Sequence, residues 1–366
     1  MAYTTIDKPT DYFSVNLWVG NDASPRSFTG FGHQPDFVWV RYRDGGSLNH
    51  ALVDVIRGGD KILFSNSSAA QDTKSHGEIT SFDSDGITVA DGTNSSFPRL
   101  YFNDDQPFSG SGNYVGWSWK AGGSPSSNTD GSITSSVSAN TTAGFSIVSY
   151  TATNANATVG HGLGVKPDLI FIKQASASGQ GWATFHRDIV NTKFVRLNES
   201  DGANTSTDGT GNFNSTDPTA SVFTIGTAIA TGGSTASMIA YCFNRVKGFS
   251  HFGNYIGTGG TTGTDGAFVY LGFKPAFLII KRTDTGGNWH MYDHKRDPDN
   301  VVETAQQTNT TNGEFTTNNK LDFVSNGFRL RGGSETTTNA DGGTYIYLAF
   351  AESPFVSSSG VPTTAR

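Results

Sequence analysis

The chain has a single cysteine, Cys242, among 366 residues. That excludes an intramolecular disulfide framework and the cysteine-rich zinc modules, so stability has to come from burial and backbone pairing. Cys242 itself lies in an apolar run, 239–243, where it packs as a small hydrophobe rather than serving as a nucleophile. Charge is also scarce, at 16% of residues, and 25 Lys+Arg against 32 Asp+Glu leave a net charge of −7. The positive surplus that draws proteins onto a phosphate backbone is missing, which speaks against a nucleic-acid partner. No apolar stretch approaches the roughly 18 residues of a membrane-crossing helix. The start, Met1 to Asp7, has neither the basic nor the apolar region of a secretion signal, so a soluble chain without membrane insertion is expected. Amphipathic helices of three turns are absent too, and residues 296–308 are the nearest candidate, good for one or two turns.

What is plentiful is glycine, 45 residues, together with aromatics at 12%. A disordered chain would have few aromatics, and a collagen would place glycine at every third position; neither description fits. The mixture suits many turns and many half-buried aromatic strands.

The chain repeats itself. Gly30-Phe31-Gly32-His33-Gln34-Pro35-Asp36-Phe37-Val38-Trp39-Val40-Arg41 recurs as Gly162-Leu163-Gly164-Val165-Lys166-Pro167-Asp168-Leu169-Ile170-Phe171-Ile172-Lys173, and again, more loosely, as Gly272-Phe273-Lys274-Pro275-Ala276-Phe277-Leu278-Ile279-Ile280-Lys281. A second landmark keeps the phase: Val115-Gly116-Trp117-Ser118-Trp119, Ile239-Ala240-Tyr241-Cys242-Phe243 and Ile346-Tyr347-Leu348-Ala349-Phe350. Self-similarity at a fixed period marks a repeat architecture. Phe37-Val38-Trp39-Val40 and Leu169-Ile170-Phe171-Ile172 are strand-like runs started by a proline and buried on both faces or nearly so. Ser84-Asp85-Gly86 and Ser325-Asn326-Gly327 separate apolar runs and predict tight hairpins.

Short strands with frequent turn signals, in repeats of about 110 residues, predict an all-β chain of three tandem β-sandwich (jelly-roll-like) modules of about 105–125 residues, arranged as independently packed beads. The boundaries are 1–120 for module 1 with an N-terminal arm, 121–142 for a Gly/Ser/Asn/Thr-rich linker or exposed hairpin, 143–252 for module 2, 253–355 for module 3 and 356–366 for a C-terminal tail.

No catalytic constellation stands out, and no cofactor is expected. His290, Asp293, His294, Asp297 and Asp299 have spacings that suit metal ligands, but residues 182–188 offer one histidine, His186, in the second repeat, and residues 52–57 offer Asp54 and no histidine in the first. A strand end or loop is therefore the expectation, with metal binding by His290, Asp293 and His294 left open. Asp83-Ser84-Asp85-Gly86 resembles the start of a calcium loop but lacks the downstream acidic ligand, so it is a turn. Asp104-Asp105 sit on one loop and cannot flank a sugar from both faces. Trp18, Trp39, Trp117, Trp119, Trp182 and Trp289 are expected in the core rather than on a sugar-binding surface.

The strings Ala2-Tyr3-Thr4-Thr5-Ile6-Asp7-Lys8-Pro9, Trp117-Ser118-Trp119-Lys120-Ala121-Gly122-Gly123, Asn128-Thr129-Asp130-Gly131-Ser132-Ile133-Thr134 and Ser138-Ala139-Asn140-Thr141-Thr142-Ala143-Gly144-Phe145-Ser146-Ile147-Val148 resemble repeat-bearing tail-fibre and other virion structural proteins of tailed bacteriophages, particularly those of aquatic bacteria and cyanobacteria. The resemblance spans nearly the whole chain. It implies a non-enzymatic component of the external virion surface, made in the host cytoplasm: a tail fibre or tail-associated adhesin. The implied partners are other tail or capsid proteins and a host-surface glycan or protein receptor, with association into homo-oligomers, trimers foremost. A capsid decoration protein and a carbohydrate-binding or depolymerising module are the alternatives. Residues 95–111, with Phe97 to Phe102 and Asp104-Asp105, depart from the pattern and are expected to build an extra contact at one edge.

Overall fold

Each repeat string forms the central strand of a sheet. The computed structural model describes residues 3–107, 111–204, 208–260, 265–332 and 336–363. The first repeat runs β1 (Phe13–Val19), β2 (Arg26–Thr29), β3 (Phe37–Tyr42), β4 (Ala51–Asp54), β5 (Lys61–Phe64), β6 (Asp72–Thr73), β7 (Glu78–Asp83), β8 (Gly86–Ala90) and β9 (Asn113–Trp119). The second runs β10 (Ser126–Asn128), β11 (Ser135–Asn140), β12 (Phe145–Thr151), β13 (Ala157–Gly160), β14 (Leu169–Gln174), β15 (Ala183–His186), β16 (Val195–Arg196), a short helix α1 (Asp208–Phe213), β17 (Val222–Ile225) and β18 (Ser237–Phe243). The third runs β19 (Ser250–Ile256), β20 (Asp265–Tyr270), β21 (Phe273–Arg282), β22 (His290–Asp293), β23 (Val302–Gln307), β24 (Phe315–Val324), β25 (Gly327–Arg331), α2 (Thr336–Asn339) and β26 (Thr344–Pro354). The chain is all-β.

The main sheets share one antiparallel order, β1-β9-β3-β4-β5, β12-β18-β14-β15-β16 and β19-β26-β21-β22-β23. Facing each is a smaller sheet, β2-β8-β7 in module 1 and β13-β17 in module 2. In module 3 the corresponding strands β24-β25-β20 join the main sheet through β23, giving one continuous eight-stranded sheet. Both predicted hairpins are present, Asp83 pairing with Gly86 and Val324 with Gly327. Glycine is required at these turns by close approach: a Cβ on Gly86 would lie 1.9 Å from the Phe28 carbonyl oxygen, and one on Gly327 2.0 Å from that of Val269.

The modules are sandwiches but not separate beads. Successive side chains on a strand point to opposite faces. In β3, Val38 and Val40 enter the interior of module 1 with Trp18, Phe28 and Ile87, while Phe37 and Trp39 point the other way. The same alternation sends Ile170 and Ile172 inward in module 2 and Leu278 and Ile280 inward in module 3. The opposite set, Phe37, Trp39, Leu169, Phe171, Phe277 and Ile279, meets in a fourth core shared by all three modules. Trp117, Trp119, Tyr241, Phe243, Leu348 and Phe350 from the neighbouring strands complete it. A sheet apolar on both faces must be covered on both, so each module covers the other two around a pseudo-threefold axis. All six tryptophans are buried.

Three boundary expectations need correction. Of the two readings of residues 121–142, the hairpin is the one formed: β10 and β11 pair with each other and extend the main sheet of module 2 through β11 and β12, so the segment is part of module 2 and not a linker. Module 3 begins with β19 at Ser250 rather than at 253, since Ser250 already pairs with Phe350. Residues 296–308 form a turn and then β23, not a helix. The departure at 95–111 supplies buried Leu100, Tyr101 and Phe102 to the module 1 interior, its residues 108–110 lying outside the described residues. The N-terminal arm is docked: Tyr3 donates to the Gly272 carbonyl at 3.0 Å, Ile6 enters the shared core, and Asp7 accepts from the Ser358 backbone N–H at 2.6 Å.

Candidate functional site

The residues singled out from the sequence do not converge. His290 lies on the module 3 face of β22, against Tyr292 and Phe315, and burial lowers its pKa to about 4. Asp293 lies on the opposite face among the axis residues, where Trp117 Nε1 donates to it at 3.3 Å and Arg296 Nε at 2.6 Å. His294 bonds through Nδ1 to the Ala276 carbonyl at 3.1 Å, and Asp297 takes the N–H groups of Glu303 and Thr304. Among the described residues one set of three acidic groups is close enough to share an ion, Asp22, Asp104 and Asp105. These carboxylates staple their loops, Asp22 accepting from the Asp105 N–H and Asp104 from that of Gln106. Asp85 holds the N–H groups of Gly30 and Gly32, which lower its pKa. Cys242 is fully buried, and burial raises its thiol pKa far above the ordinary value.

The ionisable groups that do come together lie between modules, and they recur three times. Arg41, Lys173 and Lys281 occupy the same register position, one residue beyond the pairs Val40–Ala51, Ile172–Ala183 and Ile280–His290. All three are fully buried. Arg41 donates to the carbonyls of Leu48, Thr311 and Asn312, in modules 1 and 3. Lys173 donates to Gln180 at 2.9 Å and to Ser68 of module 1 at 3.4 Å. Lys281 donates to Gly287 at 2.6 Å and to Ser200 of module 2 at 2.8 Å. Each cation thus ties its own loop to that of the preceding module. Burial pulls both lysines down to about 8, and the carbonyl dipoles are what compensates a charge removed from water.

Two residues beyond each cation the backbone crosses the same boundary. Glu314 N–H donates to the Arg43 carbonyl, Gln71 to Ala175 and Ala203 to Thr283, each at 2.8 Å. A third set comes from the start of β4, β15 and β22. His50 Nε2 bonds to the Gln307 carbonyl at 3.0 Å, Trp182 Nε1 to Phe64 at 2.9 Å and Trp289 Nε1 to Arg196 at 3.0 Å. His50 Nδ1 accepts from Trp39 Nε1, which leaves the proton on Nε2. Burial foremost, then the charge of Arg41, holds its pKa well below the ordinary histidine value. Interfaces in which different surfaces of each unit meet, one unit to the next, close into a ring when the rotation permits; here three modules of one chain close it.

At the opposite end of the central strands the three boundaries differ. In module 2, Asp168 is held by Arg187 at 2.5 Å on one oxygen and by the backbone N–H and Nε of Arg245, at 2.8 and 3.1 Å, on the other. Asp36 is its counterpart in module 1: Asp168 N–H bonds to the Phe243 carbonyl and Asp36 N–H to that of Trp119. Gly123 N–H donates to Asp36 Oδ2 at 3.2 Å. Asp36 Oδ1 has no hydrogen-bond partner, and desolvation raises the carboxyl pKa. Asp36 is one wall residue of an open cavity of ≈380 Å³ between modules 1 and 2, with Gln34, Lys120, Gly123, Asn140 and Thr141. The counterpart in module 3 is Ala276, next to a smaller cavity of ≈120 Å³ that includes Thr10, Asn16, His294 and Glu352.

Sequence reasoning missed this organisation. Its signal was present, since the three repeat strings end on Arg41, Lys173 and Lys281, but a cation at a strand end ordinarily means solvent. Among the described residues no helix is long and apolar enough to cross a membrane. No curated protein and no solved structure matches the chain. One family model spans residues 8–354, all three modules as a single unit. The chain belongs to that family, described as a domain of unknown function, DUF7483.

Proposed function

We propose that the chain is a non-enzymatic structural protein of a bacteriophage particle, a tail fibre or tail-associated adhesin that helps attach the virion to its host. The observation that carries this reading is the use made of its ionisable residues. The side chains of Arg41, Lys173, Lys281, Asp54, Arg57, Asp293 and Arg296 are buried or nearly so and bonded within or between modules. Tyr241 of module 2 reaches Asp54 of module 1 at 2.8 Å, so even this acid, base and hydroxyl set is closed to substrate. Such a ring suits an external particle protein, which must resist unfolding and proteolysis without disulfides, and non-local β pairing favours kinetic stability. A weakly bound host glycan or protein is the receptor class, with several copies per particle raising avidity.

The threefold arrangement that a fibre obtains from three chains exists here inside one, and further association into trimers would be additional to it. This internal axis also favours a second reading, a capsid decoration protein seated on a local threefold position of the shell. Mass spectrometry and immunogold labelling of purified virions test both. Tail labelling at a few to a few dozen copies is the expected result, and hundreds of copies on the head would select decoration. Absence from purified particles, or a location only inside the capsid, would overturn the virion role. Release of reducing ends from host polysaccharide would overturn the non-enzymatic reading.

A further inference from the structure

The repeats provide an internal comparison of what the outer edge of a main sheet accepts. Phe13, Phe145 and Ser250 are register equivalents, pairing with Trp119, Phe243 and Phe350, so β1, β12 and β19 are the same strand in the three modules. In module 2 its outer edge is taken by β11, Ile147 pairing with Ser138 and Ser149 with Ser136. In module 1, β1 ends the sheet. Lys120 N–H bonds to the Tyr12 carbonyl, and Gly20 N–H to that of Gly112. Directly bonded pairs alternate along an antiparallel ladder, so Ser14, Asn16 and Trp18 bond to β9 while Phe13, Val15 and Leu17 turn their N–H and C=O groups outward. Among the described residues those groups have no partner. Beside them lies the ≈120 Å³ cavity, whose wall includes Phe13, Ser14, Val15 and Asn16 in succession. Side chains of a strand alternate between faces, so four successive residues meet one cavity only along the strand's edge.

Glycine gives a second comparison, since Gly30 and Gly162 open the two closest repeat strings. A Cβ on Gly162 would lie 2.9 Å from Val137 Cγ1 and 3.2 Å from Ala139 Cβ, both on β11. One on Gly30, another wall residue of the ≈120 Å³ cavity, would meet nothing within 4 Å. Module 3 has Tyr270 at that position, and the N-terminal arm reaches it, the Tyr3 and Tyr270 hydroxyls sharing a hydrogen bond of 3.1 Å. Ser149 and Thr151 of β12 are replaced in β1 by Leu17 and Val19, 39% and 54% exposed. The strand has no charged residue and no proline, the usual guards of an open edge.

We propose that the edge of β1 binds an extended, uncharged segment of a partner protein, which adds to the module 1 sheet as β11 adds to that of module 2. The segment runs antiparallel to β1, bonds to the backbone of Val15 and Leu17, sets a small or β-branched side chain over Gly30 and apolar ones opposite Leu17 and Val19. It continues an interface already built, because Ala276, His294 and Glu352 of module 3 line the other side of the cavity, as Asp36 and Lys120 of module 1 lie with Ala139 and Asn140 in the second. Phe13 and Val15 are buried between these walls, a recess that admits one strand and not the edge of a second sheet. The proposal does not depend on the virion reading, because it concerns the segment bound and not where the chain is displayed.

The probe is the peptide acetyl-Thr-Ser-Val-Val-Ser-Ala-Asn-amide, the sequence of residues 134–140 with valine in place of Ser136 so as to meet Leu17. Amide hydrogen exchange of the full, isotopically labelled chain is followed by NMR. In the free chain the Leu17 amide is expected to exchange faster than that of its equivalent Ser149, which β11 covers. Saturating peptide is expected to slow Val15 and Leu17 about tenfold or more and to leave the amides of β19 unchanged. The same peptide N-methylated at the residues opposite Val15 and Leu17 is expected to have no effect, and Leu17→Lys to weaken binding about tenfold or more. No slowing in the wild type, equal slowing by the methylated peptide, or a Leu17 amide already protected in the free monomer would overturn the site. A dimer by light scattering in which Leu17 is protected would overturn the partner segment and give the edge to a second copy of the chain.

Discussion

The shared core on the axis and the three cores inside the modules are built from the same strands yet do different work. The module cores draw on residues of a single repeat: Ile170, Ile172, Phe185, Phe223 and Cys242 all belong to the second. The axis core draws on all three, with Phe37 of module 1 stacked on Tyr241 of module 2 at 4.3 Å and Phe277 of module 3 against Trp117 of module 1 at 5.6 Å. The first kind of core lets a repeat adopt its sandwich. The second makes each repeat depend on the others, because half the apolar side chains of its main sheet have no cover of their own.

The strongest way to break this comparison is to remove the neighbours. Residues 121–247 expressed alone would expose Phe145, Phe171, Trp182, Tyr241 and Phe243, a patch far larger than soluble monomers tolerate. The expected product aggregates or binds hydrophobic dye without sharp near-UV dichroism; a monomeric, cooperatively melting fragment would show that the axis core is dispensable. Next in size, Trp119→Ala on the axis should cost about 3–5 kcal/mol, and Phe223→Ala inside module 2 a similar amount. Calorimetry is expected to keep a single transition in both variants, whereas a separate early transition in Phe223→Ala would show that module 2 unfolds on its own.

Acid should act on both regions. Burial lowers His33 and His290 to about 4 and His186 to about 3, against an ordinary 6.5. Between pH 6.5 and about 4 the unfolded chain takes up protons that the folded chain refuses, so stability falls as pH falls. Each histidine contributes a slope of about 1.4 kcal/mol per pH unit. His186 is on the axis face and His290 on the module 3 face, so His186→Gln and His290→Gln, followed by urea melts across this window, apportion the acid sensitivity; an unchanged slope in both would refute it. The smallest expected effect is that of Tyr241→Phe. It removes the hydroxyl between Asp54 and Arg57 and should cost about 1–3 kcal/mol in the same melts.

Much of the fold was legible because the repeat keeps its phase at the prolines, the strand runs and the Asp-Gly and Asn-Gly turns. The shared core was half legible. A run such as Phe37-Val38-Trp39-Val40 has no polar face, which a sandwich open to solvent on its outer side would show, so the run already called for a second cover. What covers it depends on residues more than a hundred positions away, and periodicity carries no such information. The Gly/Ser/Asn/Thr stretch left linker and hairpin open, because an exposed edge hairpin and a coil can share a composition. The boundary residues were invisible for another reason: nothing local distinguishes Lys173, buried against carbonyls, from a lysine in water, or Asp168, held by Arg187 and Arg245, from Asp36.

The docked arm also gives the ring a direction. Tyr3 against Gly272 and Asp7 against Ser358 set both ends of the described chain beside the starts of the central strands, on the side of Asp36 and Asp168. The loops gathered around Arg41, Lys173 and Lys281 lie at the far end. A tether joined to either terminus would therefore emerge at one pole and hold the molecule as a stem holds a flower head, with three sets of loops turned outward together.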